Sequence, residues 1–159
     1  MPQNPRDEGG EGVSLLNYTT SISAEKTVTE IQGILARAGA LAIMTEYDAN
    51  RVLTAISFKI GTPFGPTAYS LPCDIEAIFT ILHKDKKVPR RLVCNEQAAR
   101  VGWRIIKDWI EAQLALVQTK MVTLDQVFLP YARTSNGQTV YERYLGAGFQ
   151  GLLIEGPKP

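Results

Sequence analysis

Residues 95–120 read NEQAARVGWRIIKDWIEAQLALVQTK, and this stretch decides the fold. Apolar residues recur at Ala98, Val101, Gly102, Ile105, Trp109, Ala112 and Leu116, with a second set at Ile106, Ile110, Leu114 and Val117. The period is helical and the two sets cover more than half the circumference, so the spacing predicts a long helix buried on most sides. Arg100, Arg104, Lys107 and Glu111 form the polar remainder and share one face. Asn95 is the expected N-cap, with Glu96 near the positive helix end and Lys120 in the last turn. Trp103 and Trp109 lie on different faces and read as packing residues rather than base-stacking platforms.

Upstream, the pattern is that of a small sheet with helices. Residues 15–22 (LLNYTTSI) are rich in β-formers and predict a first strand. Thr27-Val28-Thr29-Glu30 has the form of a capping box, opening a helix with Val28, Ile31, Ile34, Leu35 and Ala38 on one face and Gly39 at its end. Residues 40–47 and 52–60 predict strands joined by a turn at Asp48-Ala49-Asn50, with Thr54, Ile56, Phe58 and Ile60 on one face of the second. Residues 61–66 (GTPFGP) read as a turn, 67–71 as a short strand, and Cys73 or Asp74 as the start of a helix ending near His83. Downstream, capping boxes at Thr123–Gln126 and Thr139–Glu142 predict two short helices that pack back on the long one. The fold class is therefore α+β: a small, mostly antiparallel sheet in β-α-β-β-β-α order, packed with a long C-terminal helix and shorter ones. Residues 1–14 read as a disordered acidic tail, 15–154 as one domain with Phe149, Leu152, Leu153 and Ile154 packing, and 155–159 as a flexible tail.

Composition excludes several classes. With 159 residues, 45% apolar and 21% charged, the chain suits a single globular domain. No run approaches the ~18 apolar residues of a membrane span, and no secretory signal opens the chain, so no membrane partner and a cytoplasmic location are expected. One histidine and two cysteines outside any CxxC unit leave no basis for a metal site or other cofactor. Cys73 and Cys94 read as reduced and structural, with a disulfide between them as the minor alternative. Cys94, beside Arg91 and at a helix start, is the best nucleophile candidate; the competing reading is a small buried residue where a loop meets the core. His83 reads as a surface or capping residue at a helix end. Residues 61–65 lack the lysine and spacing of a phosphate-binding loop. The chain is accordingly read as not an enzyme.

A net charge of +1 hides an asymmetry. Between residues 84 and 107 stand Lys84, Lys86, Lys87, Arg90, Arg91, Arg100, Arg104 and Lys107, against only Asp85 and Glu96. A basic loop running into a helix with a basic stripe fits a phosphate-contacting surface, helped by the helix N-terminus. The competing reading is a solvated face, with Lys107–Glu111 an i,i+4 pair worth a few tenths of a kcal/mol. The loop has no interleaved aromatics; Tyr69, Phe58 or Trp103 would supply stacking only on an open sheet face, and Phe58 reads rather as core.

Three segments, NYTTSISAEKTVTEIQ (17–32), TPFGPTAYSLP (62–72) and GWRIIKDWIEAQLALVQTKMVTLDQVFLPY (102–131), together resemble a family of small proteins of phages, prophages and integrative elements. The resemblance spans residues 17–145 and is most specific in WRIIKDW. It implies context and carries no catalytic residues: such proteins serve DNA or RNA transactions, or bind and block host defence factors. The expectation is a non-enzymatic nucleic-acid-binding accessory protein using the eight cations named above. The alternative is a protein-interaction module, an adaptor or inhibitor, whose same surface meets an acidic partner. A homo-oligomer through the apolar surplus of the long helix is a further alternative.

Overall fold

The computed structural model describes residues 13–148. Apart from residues 13 and 14, the tails expected over residues 1–14 and 155–159 lie outside the described residues, as does the packing expected of Phe149, Leu152, Leu153 and Ile154. The chain is α+β: a three-stranded antiparallel meander, with helical residues packed on the face that carries Ile56, Phe58 and Tyr69.

Helix α1 (Ala24–Arg37) begins a turn earlier than its capping-box motif predicts, because the Ser23 hydroxyl accepts from Lys26 N and takes the cap itself. Thr27 is thereby inside the helix, fully buried, its hydroxyl without a partner. Val28, Ile31 and Leu35 form the buried face. Gly39 (φ +95°) turns the chain out of the helix, a left-handed conformation that favours glycine.

Strands β1 (Ala42–Tyr47), β2 (Leu53–Thr62) and β3 (Gly65–Pro72) follow. Asp48 closes the first turn, its carboxylate accepting from the Asn50 and Val52 amides. The second turn is shorter than its Gly/Pro composition suggests. Pairing runs out to Thr62 and Gly65, so only Pro63 and Phe64 form the tip. In register, Ile43, Phe58 and Tyr69 line up across the sheet, as do Thr45, Ile56 and Leu71. This face carries the core, where Phe58, Tyr69 and Phe128 meet with ring centroids 5.2–6.0 Å apart.

The strand expected over residues 15–22 does not form, so the sheet has three strands among the described residues and not four. Asn17 adopts a left-handed φ of 63°, Tyr18 N bonds back to Leu15 O, and the Gln97 side-chain amide donates to both Tyr18 O and Thr20 O at 2.9 Å. Leu15 and Tyr18 pack beside a second apolar cluster of Leu82, Val88 and Ala98. The i,i+3 spacing of Leu15 and Tyr18 suits a turn anchored on one side; β-former content without alternation does not make a strand.

Helix α2 (Ile75–Lys84), N-capped by Asp74, leads through a loop to α3 (Asn95–Gln118). Cys94 is the N-cap residue of α3 and makes no side-chain cap bond; Asn95 is already helical. Lys120 lies past the helix end with φ 63°. Trp103 is fully buried, and Trp109 packs edge-on to Phe128 and Tyr131 at 5.5 Å. Both remaining capping boxes form, opening α4 (Leu124–Phe128) and α5 (Val140–Gly146). A 3₁₀ turn, Leu129–Tyr131, follows α4 and holds Pro130 in its first positions. Beyond it, Arg133 N bonds to Ala68 O, tying this segment to the outer edge of β3.

Candidate nucleic-acid interface

The loop between α2 and α3 is ordered by its own apolar residues. The Asp85 amide bonds to Ile81 O as α2 ends, and its carboxylate accepts from Lys87 N at 2.9 Å. Val88 then plugs the cluster of Leu82 and Ala98, and Leu92 and Val93 pack against it from the 3₁₀ turn Arg90–Leu92. With these side chains anchored inward, Lys84, Lys86, Lys87, Arg90 and Arg91 are all exposed. Among the described residues no carboxylate comes within ion-pairing distance of any of the five.

The three helix cations are placed differently. Arg104 meets Glu30 of α1 at 2.7 Å, with only 19% and 31% of the two side chains exposed. Lys107 lies 2.8 Å from Glu111 and 3.9 Å from Glu30, and is 12% exposed. Arg100 pairs with Glu96 at 2.7 Å and also donates to Gln97 Oε1. The stripe expected to face an anion is thus folded against α1 or matched by carboxylates of its own helix. Glu30 is the residue that sequence reasoning missed. It lies 74 positions from Arg104, and its capping-box setting pointed to a different role.

None of the three rings considered for stacking is available. Phe58, Tyr69 and Trp103 are each 2% exposed or less. Burial, and secondarily the Asp125 carboxylate, raises the Tyr69 phenol above its ordinary value. Both cysteines are free, so no disulfide links them. Burial, then the neighbouring Asp74 charge, pushes the Cys73 thiol up to about 12, which keeps it protonated and unreactive. Cys94 is exposed rather than tucked where loop meets core. His83 is exposed in the last turn of α2, its ring stacked on Phe79.

A cleft of about 1000 Å³ opens where the N-terminal ends of α1, α2 and α3 approach the β1–β2 turn. Its carboxylates, Glu25, Asp48, Asp74, Glu76 and Glu96, outnumber Arg51 and Arg100, so it repels phosphate. Among the described residues no group of three or more His, Cys, Asp or Glu is placed to hold a metal, and no helix is long and apolar enough to cross a membrane. Comparison with known proteins finds no matching family model, no similar curated protein and no similar solved structure.

Proposed function

We propose that this chain is a non-enzymatic, cytoplasmic nucleic-acid-binding accessory protein of a phage or mobile element, contacting phosphates through Lys84, Lys86, Lys87, Arg90 and Arg91. The observation that carries the reading is the contrast within the basic region. Arg100, Arg104 and Lys107 are paired, whereas Lys84 at the end of α2 and the four cations of the following loop are exposed and unpaired, on a segment pinned by Val88 and Leu92. Ordering the loop in advance lowers the entropy lost on binding. The context rests on the resemblance carried by WRIIKDW and its flanking segments. Arg100, Arg104 and Lys107 are left with a supporting role.

With no exposed aromatic on the loop, the reading favours a backbone-contacting mode over base stacking. The same feature supports an alternative, an acidic protein partner, over a single-stranded ligand. Fluorescence anisotropy with double- and single-stranded DNA and RNA at several salt concentrations tests the proposal. Phosphate contacts give a log–log salt slope of about −0.9 per contact on duplex DNA, so five cations limit the slope to roughly −4.5. Arg90→Glu/Arg91→Glu should abolish binding. Absence of binding to all four ligands at low salt would refute the reading and leave the acidic partner.

A further inference from the structure

We propose that the outer edge of β1 is a dimerisation surface, on which a second copy of this chain adds its own β1 antiparallel about a two-fold axis at Met44. In the strand order β1-β2-β3, β1 has one edge that pairs with no strand among the described residues. The opposite edge of the sheet is treated differently: β3 is capped by the Tyr69–Ala132 bridge and the Arg133–Ala68 bond. Open edges are ordinarily protected by charged side chains, lysine above all, by proline, by a bulge or by a covering segment, and on β1 the single charge is Glu46. The β1 sequence AIMTEY has no lysine or proline, and the irregularity at its end places the extra residue, Thr54, in β2.

The exposed side chains of this strand and of Leu41, the residue before it, are complementary to themselves. Leu41 is 65% exposed, Met44 59% and Tyr47 60%. A two-fold perpendicular to the sheet keeps each face on its own side and pairs residues symmetrically about the axis. With the axis at Met44, Leu41 lies opposite Tyr47 of the second copy, Tyr47 opposite its Leu41, and Met44 opposite its Met44. All three exposed apolar residues then meet an apolar partner. Neighbouring registers do not achieve this. Centred on Ile43, Leu41 faces Thr45 and Tyr47 faces Gly39; centred on Thr45, Met44 faces Glu46.

The same register matches the charges. Glu46 of one copy falls opposite Ala42 of the other, and Ala42 is paired within its own sheet with Lys59 on the same face. Lys59 is exposed and has no ion-pair partner among the described residues. Reaching over the small Ala42 side chain, Glu46 and Lys59 form an inter-copy pair, repeated twice by symmetry. The product is a continuous six-stranded sheet, with the two helical layers on the same face.

Sedimentation and light scattering of the full chain, from micromolar to submillimolar concentration, should show a monomer–dimer equilibrium. Met44→Lys sets two like charges face to face on the axis and should weaken the dimer by about tenfold or more without changing the circular dichroism of the monomer. Glu46→Lys should weaken it, and adding Lys59→Glu should restore it. In a Cys94→Ser background, Met44→Cys should oxidise to a covalent dimer, because a residue on the axis faces its own copy with Cα atoms about 4.5–5.5 Å apart. Phe64→Cys, at the more exposed hairpin tip, should not. A chain that stays monomeric throughout overturns the proposal. So does a dimer indifferent to Met44→Lys, which would place the interface elsewhere, such as the exposed part of α3.

Discussion

Gly102 of α3 sits against Ile78 of α2 and Cys73 just before that helix, and replacing it with alanine puts helix propensity and packing in opposition. A Cβ built there would stand 2.7 Å from Cys73 Sγ and closer still to Ile78 Cδ1. In a solvated helix interior, Gly→Ala stabilises by about 1 kcal/mol. Here the added methyl overpacks a closed junction, a change that typically costs about 1–3 kcal/mol. The Ile78 methyl can rotate away. Cys73 is less free: it is 6% exposed, and its amide is bonded to Thr54 O at 2.7 Å. The sulfur contact therefore decides the sign, and Gly102→Ala should destabilise by about 1 kcal/mol net, with an unchanged m-value in urea unfolding. Deleting the sulfur provides the control. In a Cys73→Ala background the propensity gain should re-emerge, so that Gly102→Ala becomes neutral or stabilising, with a coupling energy of about 1–2 kcal/mol between the two sites. A stabilising Gly102→Ala in the wild-type background, or an equal effect in both backgrounds, would refute the view that a steric contact excludes a side chain at this position.

Glu30→Gln removes the carboxylate shared by Arg104 and Lys107 and should cost about 1 kcal/mol, discounted for partial exposure of the pair. The salt slope of nucleic-acid binding should not change; a steeper slope would mean that the helix stripe does reach the ligand. In the native protein a thiol reagent should modify Cys94 rapidly and Cys73 only at the rate of opening, since Cys73 is buried and its thiol held near 12. Because that value is raised above the ordinary 9.0, its share of stability is fully present below pH 9.0 and is lost as pH rises toward 12; Cys73→Ala should flatten that decline. Glu142 has the opposite sign. The Thr139 amide lowers its carboxyl below 4.5, so capping of α5 holds above that pH and weakens as acid is added. Thr139→Ala should raise hydrogen exchange in α5 by an amount corresponding to about 1 kcal/mol, leaving the core unaffected.

The elements that were legible in the sequence are those whose signals are local and periodic. Val101, Ile106 and Ile110 announce α3, and Ile56, Phe58 and Ile60 announce the inner face of β2. Of the three capping boxes read from the sequence, those at Thr123 and Thr139 cap helices and the one at Thr27 does not. The motif describes which groups can satisfy each other, but it cannot register that a helix is already running from Ser23. Residues 15–22 mislead for a related reason. Their β-former content is real, yet what fixes them is the Gln97 amide, 79 residues from Tyr18, and no local pattern encodes that bond. The candidate site divides in the same way. Lys84 and the four loop cations could be read directly from the sequence. The neutralisation of Arg104 depends on α1 lying beside α3, a tertiary fact.

The eight cations can be sorted by what the fold would lose without each of them. Arg104 and Lys107 hold α1 to α3 through Glu30, and Arg100 pairs with Glu96 in the first turn of α3. Lys84 ends α2, where a positive charge opposes the helix dipole in the favourable sense, as Asp74 and Glu76 do at its start. Lys86, Lys87, Arg90 and Arg91 have no such role. They stand clear of the surface on a loop whose shape is set by Asp85, Val88 and Leu92, and substitutions at such positions usually change stability by no more than about 0.5 kcal/mol. Four like charges within six residues repel one another, a cost that an anionic partner relieves. Binding and stability should therefore separate along the chain. Arg90→Glu/Arg91→Glu should leave the melting temperature unchanged while removing the ligand, whereas Arg104→Glu should unfold the α1–α3 contact before it alters any binding surface. If the loop variant melts early instead, its cations belong to the fold, and the case for an anionic partner goes with them.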